Sequence, residues 1–510
     1  MQDPHLWMLL GSACLQLKDF AAAEKAGRAA IAINSGEQKG WDVIIQSCLA
    51  QGKIHEAIAG LQTLVSIRPQ STQLYYQLAE LTKGQGDVRK ALQYYRRAID
   101  CDERNMHAQF GLGNLLLQSE IYIEAIEQFS KILQIAPNSG QAMHCLGNGY
   151  MALSMYQEAE DIYKAALVFE PNNKLIHHNL AEAYQNQSKL NEAEVEYRQA
   201  ISLDPKLVEA YVNLGRTLQK QGRLSDAINC HNQALKINTS CSAAHHNIAI
   251  CVYDDKNLNM AAASFQAAID LNPDNLLAKC FLGVIGDQLG DLQGVKKQAV
   301  NGASPLTDSI IESYQFASNA NQQARYFSTT AAMLDYAITK ATVDGLYLEF
   351  GVCFGTSINI IASRVECAVH GFDSFEGLPE AWETGSSVTA TDDQAGTYST
   401  RGQLPQTLDN VTLYPGLFDT TLPGFVDKHS GSVSFINVDC DLYSSTKTVF
   451  DNLGSRIVPG TVIVFDEFFC YPEWRQHEYK AFQEFVADAG VDYEYLAFSY
   501  FTGQAIVRIL

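Results

Sequence analysis

Residues 345–357 read GLYLEFGVCFGTS. An apolar run ends in an acid, Glu349, and turns through Gly351 and Gly355 into a helix-like stretch that opens with Thr356 and Ser357. A strand ending in glycines lets the backbone pass close to a small ligand, while the carboxylate and the helix N-terminus offer hydrogen bonds at the carboxyl edge of a parallel sheet. The pattern predicts a cofactor cradle. The same Gly-x-x-x-Gly turn also serves simply to pack a helix against a strand, and both readings stand at this point.

Outward from this turn, strand-like and helix-like runs alternate. The pattern predicts strands at 346–350, 368–373, 411–414, 433–438 and 461–466, with helices at 356–365, 445–456 and 474–489. Two further helices, 308–319 and 326–340, are expected ahead of them. Two β-rich runs, 492–500 and 503–510, are joined tightly through Thr502 and Gly503 and read as a hairpin carrying an antiparallel edge strand. Alternation at this spacing implies a doubly wound sheet. Five consecutive strand ends carry a Gly or an acid: Glu349 with Gly351, Asp373, Gly416, Asp439 with Asp441, and Asp466 with Glu467. In a parallel sheet these ends share one rim. An acid after the second strand is where such folds hold ribose, because a carboxylate accepts from two adjacent hydroxyls. The plainer reading of Asp373 is a turn-forming Asp before Ser374.

Upstream, prolines at 69, 137, 171, 205 and 273 fall on one lattice with a period of 34. Small residues keep step at Ala57, Ala91, Ala125, Ala159, Ala193, Ala227 and Ala261, and again at Ala98, Ala166, Ala200, Ala234 and Ala268. Large residues hold a third register at Leu78, Leu112, Leu146, Leu180, Leu214 and Ile248, each followed by Gly or Ala. So many registers in step, across eight units over 4–274, resemble the tetratricopeptide repeat. Small residues let paired helices approach, large ones fill the gap, and Pro stops the second helix of each pair. A ninth, degenerate unit at 277–293 is expected to cap the array. The fold class expected is α + α/β: an all-α tetratricopeptide superhelix over 1–300, then a Rossmann-like doubly wound α/β domain over 308–510.

Such arrays present a concave face of first helices, suited to a protein or peptide partner. Asn179, Asn213 and Asn247 stand one repeat apart, each just before a large residue, where they would form an amide ladder on that face. The repeat region of O-GlcNAc transferases is similar, and Asn is also common at this position in repeats generally.

The 510 residues are 47% hydrophobic with a formal charge of -21, and no Lys/Arg-rich run interrupts the acidic excess. That balance argues against a nucleic-acid partner. The length admits roughly two to four domains. Twelve cysteines are scattered without a CxxC pair, as expected in a reducing compartment, and Cys353, in the glycine turn, reads as packing. No leader pattern or membrane-length apolar run stands out, so the expectation is a cytoplasmic protein with no membrane partner.

In this order, LYLEFGVCFGTS, GFDSFEGLPE, YPGLFDTTLP, INVDCDLYSST and VIVFDEFFCYP resemble the macrocin O-methyltransferase family of S-adenosylmethionine-dependent enzymes, over roughly residues 320–510. The resemblance implies that Glu349, Gly351 and Gly355, with Thr356 and Ser357 at the helix start, surround the methionine part of S-adenosyl-L-methionine, and that Asp373 holds its ribose. Asp439, Asp466 and Glu467 would then hold Mg²⁺, which prefers carboxylates and lowers the pKa of a bound hydroxyl. The plainer reading is that these acids cap helices and bind water. In metal-dependent relatives a His or Lys stands three residues after the first metal acid; here it is Leu442. His477 is the substitute base and Asp441 its rival. The stretch 375–409, rich in Thr, Ser, Gly and Asp, is expected to form a lid or substrate loop. The function expected is Mg-assisted O-methylation of a hydroxyl on a sugar or glycosylated metabolite, with the repeats binding a protein partner or a large acceptor. Leu442 keeps open an interaction scaffold with an inactive methyltransferase fold, and the Asn ladder keeps open a protein methyltransferase.

Overall fold

The computed structural model describes residues 3–254, 257–291, 304–382 and 395–510. Among them the first sixteen helices, from α1 (Pro4–Gln16) to α16 (Leu258–Leu271), run in eight pairs, and α17 (Leu276–Gln288) follows singly. Pro69, Pro137 and Pro171 stand just beyond helices that stop at Ile67, Ile135 and Phe169, where a residue without an N–H cannot extend the ladder. Asp87, Asn105 and Ser139 begin the helices after them by accepting from the backbone N–H three residues on. A further register lies beneath the lattice: Tyr95, Phe129, Tyr163, Tyr197, His231 and Phe265 are each 0% exposed. These rings explain the small residue after each large one. A Cβ on Gly113, Gly147 or Gly215 would come within 2.7, 2.4 or 2.4 Å of Phe129, Tyr163 or His231. Each Phe ring buried this way contributes about 1.5–3 kcal/mol.

The chain forms two compact units, one ending at Ala183 and the other running from Tyr184 to Leu510. The division falls inside the repeats because the last of them share a core with the C-terminal strands and helices. Tyr253, Phe265, Phe281 and Ile285 belong to one apolar cluster with Ile310, Phe469 and Tyr500. The change in sequence pattern after residue 300 is therefore not where compactness divides. Of the expected cap, α17 is seen; residues 292–303 lie outside the described ones. No helix among the described residues is long and apolar enough to cross a membrane.

In the second unit α18 (Pro305–Ala320) and α19 (Thr330–Lys340) precede an eight-stranded sheet. Its strands are β1 (Arg325–Tyr326), β2 (Leu346–Phe350), β3 (Val369–Asp373), β4 (Val411–Pro415), β5 (Val433–Val438), β6 (Ile457–Phe465), β7 (Tyr493–Ser499) and β8 (Gln504–Ile509). The helices between them are α20 (Thr356–Ala362), α21 (Phe418–Lys428), α22 (Tyr443–Leu453) and α23 (Glu478–Ala489). The spatial order is β1-β7-β8-β6-β5-β2-β3-β4. From β2 the chain steps outward through β3 and β4, then returns to lay β5 on the other side of β2. That reversal opens a crevice at the carboxyl ends of β2 and β5, the place where doubly wound sheets take ligands. Every residue of β5 is buried, as a strand covered on both faces requires.

Three local expectations change. A helix over 326–340 begins only at Thr330, where the Thr329 hydroxyl accepts from Ala332 N at 3.3 Å, and β1 takes the residues ahead of it. α21 was not anticipated: Pro423 and Gly424 interrupt its pattern, but Leu422 and Phe425 are buried and hold it to the sheet. Of the closing hairpin, β8 is the antiparallel strand and lies inside, between β6 and β7, with β7 and β1 beyond it.

Candidate active site

Glu349, next to last in β2, is fully buried, in register with Gly371 of β3 and Asn437 of β5. Its Oε1 accepts from the Ser357 hydroxyl at 2.5 Å. Its Oε2, and both side-chain atoms of Asn437, make no well-formed hydrogen bond among the described residues, although the Asn437 amide lies near enough to lower the Glu349 pKa slightly. Three orphaned polar atoms thus lie at the β2/β5 crevice, each carrying an unmet desolvation penalty of about 1–3 kcal/mol. Burial pushes the Glu349 pKa up to about 8; the Ser357 hydroxyl opposes the rise, and the charges of Asp466 and Asp373 add to it.

The glycines have structural reasons of their own. Gly351 takes φ +93°, and a Cβ there would lie 1.5 Å from the Asp439 carbonyl oxygen, so the close approach of two backbones excludes any side chain. Gly355, at φ +80°, precedes α20 and would meet Pro405 at 3.0 Å. Of the two residues opening α20, Ser357 aims at Glu349, whereas the Thr356 hydroxyl donates to the carbonyl of Ser188 at 3.4 Å. Ser188 lies in the repeat loop before α12 (Leu190–Leu203).

Asp373 ties the loops after β2 and β3 together. Its Oδ2 accepts from Cys353 N at 2.7 Å and its Oδ1 from Phe375 N at 2.6 Å. The second bond is the turn expected of an Asp before Ser374, yet each oxygen keeps a further lone pair for a hydroxyl. Burial raises the Asp373 pKa and these backbone donors hold it back. Cys353 is half-buried beside it with its thiol pKa pushed up by desolvation and by Asp373, an unreactive setting.

The remaining acids crowd the ends of β5 and β6. Burial raises Asp439 well above the usual carboxylate range, and Asp466, Asp441, Glu349 and Glu478 raise it further. Asp466 is pushed up to about 6 by burial, against hydrogen bonds from the Gln504 amide and Asp439. Glu478, in the first turn of α23, is 0% exposed with both oxygens unpartnered among the described residues. Burial raises its pKa first, then Asp441 and Asp466. Asp441 itself sits at φ +60° in a tight turn closed by Leu442 N to Cys440 O at 2.5 Å. Glu467 lies near the β7–β8 turn, where a Cβ on Gly503 would meet its Oε2 at 3.5 Å. Asp439 and Asp466 approach closely enough to share a hydrogen bond, but Glu467 does not join them in a group whose oxygens all lie within 4.8 Å of one another. Among the described residues only Glu24, Cys48 and Glu56 are so gathered, and there Lys53 and Arg28 already bind Glu24.

His477 is half-buried just before α23, its ring centroid 6.2 Å from Trp382 and 6.0 Å from Tyr471. Trp382 belongs to the expected lid, of which 383–394 lie outside the described residues. The flanks of that segment are tied together: Leu378 N donates to Thr397 O at 2.9 Å and Gly402 N to Phe375 O at 2.9 Å. The Ser444 hydroxyl donates to Glu380 at 2.5 Å, fixing one flank to α22. In the repeats, Asn179 uses both amide hydrogens on His144 Nε2 at 2.9 Å and Asn148 Oδ1 at 2.8 Å. Asn213 is half-buried and Asn247 buried.

Sequence reasoning missed Asn437, Glu478 and Gln504. A polar residue inside the apolar run of β5 was a usable signal for Asn437. A Glu in a first helical turn and a Gln opening a strand carry none.

Comparisons with known proteins find two kinds of family along the chain. A family profile described as a methyltransferase domain matches residues 348–468. Two profiles for the tetratricopeptide repeat match 174–240, and 2–37, 76–140 and 212–275. The 8-demethyl-8-(2,3-dimethoxy-alpha-L-rhamnosyl)-tetracenomycin-C 4'-O-methyltransferase of Streptomyces olivaceus is 31% identical over 160 residues, covering 26% of this chain and 58% of that protein. The tetratricopeptide repeat-containing protein trd-1 of Caenorhabditis elegans is 29% identical over 98 residues, 19% of this chain and 12% of that protein. The chain thus spans less than two thirds of either relative. The repeat protein YrrB, a solved structure, aligns at 22% identity over 36% of this chain and 96% of its own, with a TM-score of 0.32. The chain carries tetratricopeptide repeats in its N-terminal part and a methyltransferase domain at its C-terminus.

Proposed function

We propose that the protein is an S-adenosylmethionine-dependent O-methyltransferase acting on a hydroxyl of a sugar or glycosylated metabolite, with the repeats holding a protein partner or a large acceptor. One observation carries the reading most: the orphaned Glu349 Oε2 and Asn437 amide lie at the reversal of strand order, beside an Asp373 with lone pairs to spare. A neutral Glu349 can donate, and the Asn437 amide can both donate and accept, toward the amino-acid end of the cofactor. Asp373 would accept from the ribose hydroxyls. Bound there, the cofactor supplies an activated methyl group to an attacking oxygen.

The chain's own work is then alignment, exclusion of water and removal of one proton. The acids at the ends of β5 and β6 form an oxygen-only donor set whose members raise one another's pKa, which suits a hard divalent cation. Asp439, Asp466 and Glu467 are the residues that would hold Mg²⁺, which would acidify the acceptor hydroxyl. His477, or Asp441 within the acid group, would take its proton. Twelve free thiols agree with a cytoplasmic setting.

Calorimetric titration of S-adenosylhomocysteine into the full chain, with Mg²⁺ and again with chelator, tests this. Micromolar binding is expected in both buffers. No binding in either would sink the enzyme reading in favour of a scaffold.

A further inference from the structure

We propose that Gln504 is a positioning residue that fixes Asp466, and that the last repeats hold it in place through Phe501; the idea rests on the methyltransferase reading above. Gln504 is 0% exposed, and its Nε2 donates to Asp466 Oδ1. Its Oε1 lies 2.8 Å from the Thr502 hydroxyl, which in turn lies 2.7 Å from the hydroxyl of buried Ser499. The amide therefore has one sensible orientation. Turned over, its oxygen would face a carboxylate and its NH₂ would replace an acceptor. A relay runs from Ser499 through Thr502 and Gln504 to one oxygen of Asp466.

The turn that carries this relay is held on both sides. On the rim side, the Gly503 carbonyl accepts from Phe468 N at 2.9 Å and Phe469 N at 3.2 Å, the residues just past Asp466 and Glu467. On the other side, Phe501 enters an aromatic socket built by the repeats. Its ring centroid lies 4.8 Å from Tyr253, 6.3 Å from Phe265 and 4.5 Å from Phe281. Tyr253 comes directly after α15 (Ser242–Val252), Phe265 lies in α16 (Leu258–Leu271) and Phe281 in α17. Tyr253 is fixed in turn by Gln288, through hydrogen bonds of 3.0 and 3.1 Å. The socket thus sets the turn, the turn sets Gln504, and Gln504 sets which way an acid of the candidate cation site faces.

The test uses full-length Gln504→Met, Thr502→Val, Thr502→Ser, Phe501→Ala and Phe501→Leu. Mn²⁺ binding is read by electron paramagnetic resonance and S-adenosylhomocysteine binding by calorimetry. Gln504→Met, Thr502→Val and Phe501→Ala should weaken Mn²⁺ binding about 10–100-fold, the usual consequence of losing a group that orients a metal ligand. Thr502→Ser and Phe501→Leu should restore it, and S-adenosylhomocysteine affinity should stay native throughout. Unchanged Mn²⁺ binding in Gln504→Met and Thr502→Val overturns the proposal, as does an equal loss in Thr502→Val and Thr502→Ser. A native chain that binds S-adenosylhomocysteine but no Mn²⁺ also overturns it, while leaving the methyltransferase reading in place.

Discussion

Replacing His231 with Phe should flatten the acid side of the protein's stability profile. The imidazole occupies the register filled elsewhere by Phe129 and Phe265, is 0% exposed, and has neither nitrogen paired among the described residues. Burial, with the charge of Arg216 behind it, lowers its pKa from 6.5 to about 4. His246, edge-on to Phe265 at 5.2 Å, is lowered to about 4 by the same two causes. Both rings are neutral in the fold, so the unfolded chain takes up protons first as pH falls. The stability they permit is complete above pH 6.5 and is lost progressively toward pH 4. At about 1.4 kcal/mol per pH unit, lowering the pH from about 7.5 to about 5 removes about 2 kcal/mol through each ring. His231→Phe should abolish one such share and leave that of His246. Near pH 7.5 the variant should match or exceed the native chain, because two unpaired nitrogens leave the core. Urea unfolding of the full chain at both pH values, monitored by circular dichroism, measures this. An acid loss as steep in the variant as in the native protein would refute the reasoning.

Gly351→Ala should destabilise the second unit by about 2–6 kcal/mol in urea unfolding, combining positive-φ strain with a clash that must part β2 from β5. Asp373→Asn turns an amide N–H toward one of two backbone donors, so S-adenosylhomocysteine affinity should fall at least tenfold by calorimetry, the effect of about 1.4 kcal/mol. Glu349→Gln should leave thermal stability near native at about pH 4, where the carboxyl is neutral in the folded chain and largely neutral in the unfolded one, and should raise it at pH 7. Because the folded pKa is raised, native stability drains away as pH climbs from 4.5 to about 8, and the variant should escape that loss. Native and variant melting temperatures that shift in parallel between pH 4.5 and pH 8 would show otherwise.

The residues that could be read from sequence are those whose type and strand-end position coincide. Glu349, Asp373, Asp439 and Asp466 each end a run of apolar residues, and the order of runs places those ends on one rim. Gly351 was equally visible as a position that must be glycine, but the reason differs from the one first suggested: the Asp439 carbonyl, not a ligand, occupies the space of its missing Cβ. Asn437 was visible only as a polar break in a buried strand; its meeting with Glu349 depends on β5 returning beside β2. The ring register of Tyr95 to Phe265 escaped notice because it mixes Tyr, Phe and His, whereas alanine and proline repeat as themselves.

Gln504 shows why the remainder was hidden. It lies 38 residues beyond Asp466 and meets it only because β8 runs antiparallel beside β6, pairing Phe465 with Ala505. A hairpin at the end of a chain ordinarily signals an edge to be finished. Here its inner strand delivers an amide to the acid rim, and its turn delivers Phe501 to the repeats. Two sequence patterns that look independent, a helical lattice and an alternating sheet, are thereby joined at one turn of a few residues. Compactness tracks that joint and not the change of pattern, which is why Tyr184 to Leu510 forms a single unit. It also means that cutting the chain at residue 300 would remove the socket of Phe501, and with it the support of Asp466, from a sheet whose strands would all remain.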